Sequence, residues 1–154
     1  MTDRIDAKTR SRTMAAIHSK NTKPEIWVRS TLHQQGFRFR LHNKKLPGSP
    51  DLVLPKFQAV IFINGCFWHQ HVGCKTSHLP KTRPEFWARK FARNCLRDQK
   101  VLYQLKILGW RVGIIWECSL TKTYRDTTVQ HLAAWLHSHS EYYEIPVYDE
   151  FTEL

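Results

Sequence analysis

The stretch GCFWHQHVGC, residues 65–74, holds Cys66, His69, His71 and Cys74, and Cys118 stands far downstream in WEC. Zinc in a structural role takes four cysteine or histidine ligands in a closed tetrahedron. Cys66, His71, Cys74 and Cys118 make the best such set, and it would tie the loop to the end of a later strand. His69 and Cys95 are then left over. The competing arrangement is a catalytic zinc on Cys66, His69 and Cys74, and four good structural ligands leave it no open position. The same loop carries Phe67 and Trp68, large apolar side chains that raise the question of a surface that inserts into something.

Three acids bear on chemistry in an otherwise basic chain. Asp51 follows GSP and opens DLVL. An acid at a strand mouth can hold a divalent cation against a phosphate, although Asp after Pro is also a common turn residue. Glu25 completes Thr22-Lys-Pro-Glu25, the pattern of a capping box. It also shares a helical stripe with Val28 and Leu32, which would turn it inward, and both readings stand. Asp98 falls on the stripe Trp87, Phe91, Cys95, Asp98, Leu102, Leu105, which steps by three or four and so marks a buried face. A carboxylate there needs a donor or cation, either a histidine such as His69 or an arginine. Cys95 on that stripe reads as a core thiol.

The elements that must position these residues follow from period and punctuation. KTRSRTMAAIHSK (8–20) reads as a short basic helix. Residues 23–36 read as a second helix, with Pro24 in its first turn and Gly36 closing it. FRFRLH (37–42) alternates as a strand. DLVL (51–54) and FQAVIFIN (57–64) form a hairpin around Pro55-Lys56. That turn places Asp51 opposite Val60 and leans Asn64 toward Asp51. After the cysteine-rich loop come a long helix (83–109), a buried strand (110–118) and a last helix (125–139). The order predicts an α/β fold, a mixed sheet flanked by helices, with strand 110–118 parallel after a helical crossover.

The chain has 154 residues, the size of one domain, and a formal net charge of +11. The terminal stretch EYYEIPVYDEFTEL, residues 141–154, is acidic, so the body is more basic still. Such charge opposes compaction and points to a polyanionic partner, nucleic acid above all. The N-terminus lacks the apolar segment of a signal peptide, and no window is long and apolar enough for a membrane span. A reducing cytoplasm is the expected setting, with thiols or metal ligands rather than disulfides.

PGSPDLVLPKFQAVIFINGCFWHQHVGC, RPEFWARKFARNCLRDQ and GWRVGIIWEC together resemble the very-short-patch-repair (Vsr) DNA mismatch endonuclease family. The resemblance runs from KTRSRTMAAIHSKNTKPE to WEC. It implies a restriction-endonuclease-like fold with a structural zinc site, a single nuclease domain spanning 1–154, and a basic DNA-contacting segment at 1–22. The implied activity is a magnesium-dependent nick 5′ of the thymine in a T:G mismatch left by deaminated 5-methylcytosine. Double-stranded DNA is then the partner, a cytosine-5 DNA methyltransferase the functional companion, and a monomer at the bacterial nucleoid the expected form. Carried onto this chain, Asp51 and the carbonyl of Ile63 hold Mg²⁺. His69 is the general base or a water-positioning residue, and Glu25 and Asp98 support it and the metal-bound waters. Cys66, His71, Cys74 and Cys118 match the Zn²⁺ set. Phe67, Trp68 and Trp87 match aromatics that wedge into the duplex, with Met14 entering from the other groove. The chain departs from the family at Asn64, where the family commonly has histidine. Arg10, Arg12, Lys44, Lys45, Arg83, Arg89, Arg93 and Arg97 are candidates for phosphate contacts. A non-catalytic zinc DNA-binding module would explain charge, zinc and aromatics, but neither an acid at a strand mouth nor Asp98 on an apolar stripe.

Overall fold

A computed structural model describes Asp6, Lys8 and residues 20–148. The basic helix expected over 8–20, with Met14, Arg10 and Arg12, falls outside the described residues save Lys8 and Lys20, as does the end of the tail from residue 149.

The described chain runs α1 (Lys23–Gln34), β1 (Arg40–Leu41), β2 (Leu52–Leu54), β3 (Ala59–Asn64), α2 (Pro84–Ile107), β4 (Arg111–Trp116), α3 (Arg125–Leu136) and β5 (Tyr142–Ile145). The strands form a mixed sheet in the order β1-β2-β3-β4-β5. β1, β2 and β3 pair antiparallel, whereas β3, β4 and β5 pair parallel. One face is covered by α1 and α3, where Val28, Leu32, Val129, Leu132 and Trp135 pack on Leu52, Leu54, Ala59, Ile61 and Ile115. The other face takes α2, where Leu105, Val101 and Leu102 meet Val53, Val60, Val112 and Ile114. Cover on both faces is why β2 and most of β4 are buried at every position rather than alternately.

α1 and α2 stop where glycine allows. Gly36 (φ 94°) and Gly109 (φ 84°) take left-handed backbone. The next amides, Phe37 N–H and Trp110 N–H, reach back to the carbonyls of Leu32 and Leu105 at 3.0 Å. Each turn so delivers an aromatic side chain toward the core.

Several expectations need correction. The FRFRLH strand shrinks to Arg40–Leu41, because Phe37 and Phe39 pack into the core without a strand partner. The hairpin turn is longer than Pro55-Lys56. Pro55–Phe57 forms a 3-10 turn and Gln58 is left-handed (φ 50°). Leu54 therefore pairs with Ala59 and Leu52 with Ile61, which moves Asp51 into register with Phe62 rather than Val60. Within the segment read as an acidic tail, Tyr142–Ile145 is instead a parallel strand on β4.

Candidate active site and metal centre

β2 begins beside the end of β3, and the loop that leaves β3 carries residues singled out above. Asp51 lies just before β2, and its Oδ2 accepts the Ile63 N–H at 2.7 Å. Burial pushes the Asp51 carboxyl up to about 7; the Ile63 hydrogen bond opposes this, Glu25 adds to it and His69 opposes it again. Glu25 comes from α1. Thr22 caps that helix by accepting the Glu25 N–H at 3.4 Å, and Glu25 Oε2 accepts the Asn21 N–H at 3.1 Å. The capping and inward readings of Glu25 both hold, since its side chain is only 3% exposed.

His42 belongs to this group and went unnoticed in the sequence. Its Nε2 lies 2.8 Å from Glu25 Oε1 and its Nδ1 lies 3.8 Å from Asp51 Oδ1. The signal was available in register alone. β1 pairs with β2, and one step beyond the pairing the His42 N–H meets the Asp51 carbonyl at 3.2 Å.

On the other side of the loop, His69 Nδ1 meets Asp98 Oδ2 at 2.7 Å, so histidine rather than arginine partners this acid. Asp98 is less buried than its stripe implies, with its side chain 33% exposed beside a His69 that is 26% exposed. The reason is a cavity of about 590 Å³ lined by Asn64, His69, Cys95, Asp98, Val101 and Trp116. Asn64 thus opens on the cavity, while the amide of its neighbour Ile63 serves Asp51. Cys95 points its thiol at the His69 carbonyl 3.9 Å away, consistent with a packing role. Glu117, a further acid not singled out in the sequence, brings its carboxylate beside Gly65, where a Cβ would sit 3.6 Å from Oε2. Burial raises its carboxyl and His69 opposes the rise.

Cys66, His71, Cys74 and Cys118 converge, with their ligand atoms within 4.8 Å of one another. Cys118 Sγ lies 3.5 Å from His71 Nδ1. Tetrahedral zinc, with sulfur at ~2.3 Å and nitrogen at ~2.0 Å, sets such a pair about 3.5 Å apart. The His71 Nε2–H donates to the Pro146 carbonyl at 2.9 Å, which leaves Nδ1 unprotonated and turned to the sulfurs. His71 also stacks on Trp116, with ring centroids 4.2 Å apart and planes 7° from parallel. Tyr148 OH reaches Cys118 Sγ at 3.6 Å, and Trp116 Nε1–H donates to Glu144 at 2.8 Å. Residues 144–148, beyond the reach of sequence reasoning, therefore brace the site. Without a metal, burial pushes the Cys66 thiol up to about 12, against a hydrogen bond from the Cys118 backbone. The donor set and spacing suit a metal ion, and His69 is outside it, which removes the Cys66, His69, Cys74 alternative.

Between the two sites, Phe67 packs on Trp68 (5.1 Å), Trp87 (5.6 Å) and Phe91 (5.1 Å). The Asn94 amide holds the Trp68 carbonyl at 3.1 Å. Lys90 lies over both Trp68 (5.3 Å) and Trp87 (5.5 Å), adding a cation that sequence reasoning missed. Lys44, Lys45, Arg83, Arg89, Arg93 and Arg97 are exposed. Among the described residues, no helix is long and apolar enough to cross a membrane.

Residues 2–75 match the family model for DNA mismatch endonuclease Vsr. The type II nicking enzyme V.XorIIP of Xanthomonas oryzae pv. oryzae is 49% identical over 121 residues, covering 79% of this chain and 88% of the relative. The type II nicking enzyme V.NmeAIP of Neisseria meningitidis is 47% identical over 120 residues, 78% of this chain and 85% of the relative. The DNA mismatch endonuclease Vsr of Escherichia coli is 41% identical over 139 residues, 88% of each chain. Likeness of this extent, through the loop, the long helix and the strand that carry the two sites, makes the chain a member of the Vsr DNA mismatch endonuclease family.

Proposed function

We propose that the protein nicks one strand of duplex DNA on the 5′ side of the thymine in a T:G mismatch left by deaminated 5-methylcytosine, with Mg²⁺ as the catalytic ion. The observation that carries this reading is a half-buried Asp51 grouped with buried Glu25 and near enough to His69 to feel its charge, His69 itself being bonded to Asp98 at 2.7 Å. Asp51 and the Ile63 carbonyl would hold the ion, with Glu25 beside Asp51. Bound Mg²⁺ supplies polarisation of the phosphoryl oxygen and a lowered pKa of attacking water. The fit to a cation is chemical: a buried carboxyl driven up to about 7 by desolvation, with a second carboxyl adding to the strain, is relieved by positive charge.

His69 acts as the base. Donation of Nδ1–H to Asp98 leaves Nε2 as the nitrogen that takes a proton from water, and Asp98 steadies the charge that results. Asp98 serves as a positioning group. Phe67, Trp68 and Trp87 form the wedge, because they pack as one half-buried aromatic cluster beside the proposed catalytic histidine. Unstacking a base step costs a few kcal/mol, least at a mismatch, so insertion itself favours mismatched DNA. Cys66, His71, Cys74 and Cys118 would hold Zn²⁺ and keep the loop rigid. Met14, Arg10 and Arg12 are proposed to reach the duplex from the N-terminal segment. The chain acts as one nuclease domain and a monomer in the bacterial cytoplasm, in concert with a cytosine-5 DNA methyltransferase.

The test is nicking of a closed circular plasmid carrying one T:G mismatch, against its matched T:A counterpart, with Mg²⁺, by wild type and Asp51→Ala. Wild type nicks the mismatched plasmid and Asp51→Ala does not. A wild-type protein that leaves both plasmids closed refutes the reading.

A further inference from the structure

β1 is followed at once by a residue, His42, that neither the catalytic nor the zinc reading uses. His42 is opposite Asp51, joined to it through the backbone at 3.2 Å. It holds left-handed backbone at φ 47°, a conformation costing a non-glycine residue about 1 kcal/mol or more unless surroundings enforce it. That conformation brings the ring between Glu25 and Asp51. The three side chains can place one ligand atom each within 4.8 Å of the others.

The contacts inside this group are close but poorly satisfied. Glu25 Oε1 and His42 Nε2 are 2.8 Å apart, yet both are buried without a hydrogen bond of proper direction, to each other or to any described group. Arg29 Nη1 stands 3.5 Å from Glu25 Oε1, but its hydrogen bond goes to Asn21 Oδ1 at 2.8 Å. Two polar atoms that approach without pointing at each other are arranged for a third centre. Cis ligands at ~2.1 Å from an octahedral ion lie about 3 Å apart, close to the spacing found.

We propose that His42 is a third side-chain ligand, with Asp51 and Glu25, of the divalent ion at the active site, and that it makes this site prefer a nitrogen-accepting cation over Mg²⁺. Hard Mg²⁺ takes oxygen ligands and gains little from imidazole. First-row transition ions accept mixed nitrogen and oxygen sets, Mn²⁺ being the weakest of their series. Mn²⁺ is therefore the demanding probe. The inference rests on the reading of Asp51 as a metal ligand, and the experiment separates the two.

Zinc-loaded protein is titrated with Mn²⁺ by electron paramagnetic resonance, with Mg²⁺ as competitor. Electron spin echo modulation then reports nitrogen bonded to the bound Mn²⁺. The variants are His42→Gln, His42→Asn (asparagine tolerates left-handed backbone), His69→Ala and Asp51→Asn, each checked for folding by circular dichroism. Wild type binds Mn²⁺ in preference to Mg²⁺ and shows nitrogen modulation. Both His42 variants lose the modulation, and the ratio of Mn²⁺ to Mg²⁺ affinity falls about tenfold or more. His69→Ala keeps both. Modulation that survives in folded His42→Asn overturns the inference, as does modulation lost in His69→Ala alone. Mn²⁺ binding that ignores Asp51→Asn overturns the active-site reading instead.

Discussion

Replacing Asp98 by asparagine isolates the charge that faces His69. The shape is kept, and the amide oxygen still accepts from Nδ1–H, so a bond of about the same length survives without its ionic component. A hydrogen bond to a charged group contributes about 1.5–3 kcal/mol. Here the side chains are 26% and 33% exposed, so solvent screening puts the effect at the low end. About 1.4 kcal/mol of lost transition-state stabilisation is a tenfold slower reaction. Asp98→Ala also frees the ring to rotate and change tautomer, and the loss grows to roughly a hundredfold. The assay is single-turnover nicking of T:G duplex at saturating protein, with duplex affinity measured separately by fluorescence anisotropy. The rate falls while affinity stays within a factor of about two, since Asp98 lines a cavity rather than the aromatic cluster. A single-turnover rate in Asp98→Asn within twofold of wild type refutes the argument. So does a rate loss that merely follows weakened duplex binding or a lowered melting temperature.

The loop offers a paired comparison. His69→Ala abolishes nicking but leaves the bound zinc and the melting temperature near wild type, because His69 is outside the metal-ligand group. Cys66→Ala loses zinc and stability together, as expected of a ligand only 4% exposed and packed into the core beneath α2. Zinc analysis and thermal melting read both; zinc lost from His69→Ala contradicts the division of the loop. Cys95 supplies a pH test. Burial first, and then Asp98, raise its thiol above the ordinary value, so the thiolate is scarce near neutrality. Its alkylation by iodoacetamide, followed by mass spectrometry, is slow near neutrality and accelerates only as pH passes the usual thiol range. Asp98→Asn removes one cause and speeds it; no change with that substitution contradicts the assigned contact.

Much of this site was legible because its residues announce themselves to near neighbours. Asp98 stood on a helical stripe that is otherwise apolar, and the stripe alone required a partner such as His69. The grouping of Cys66, His71, Cys74 and Cys118 emerged from residue type and spacing, with Cys118 fitted by the chemistry of a fourth donor. The helices were bounded well by Gly36 and Gly109, since few other residues take the left-handed step that ends them so cheaply. The degree of burial of Asp98 was not legible, because a stripe gives direction and cannot reveal a cavity against which it lies.

What escaped is of one kind. His42 matters because β1 pairs with β2 in a register that sets it across from Asp51. Glu144, Pro146 and Tyr148 matter because β5 pairs with β4 and carries them to Trp116, His71 and Cys118. Neither relation leaves a local pattern: four residues of YYEI within an acidic run resemble a tail until β4 supplies the other half of the hydrogen bonds. The hairpin error has the same origin. Reading Pro55-Lys56 as the whole turn moved Asp51 along the wrong neighbours, although strand assignments on both sides were sound. Periodicity identifies faces, and pairing decides which faces meet. A site built where strand ends converge, as this one is, therefore hides in the sequence those members that depend on register. His42 tests the point directly, for its proposed contribution to the metal site follows from register and from nothing in its own sequence neighbourhood.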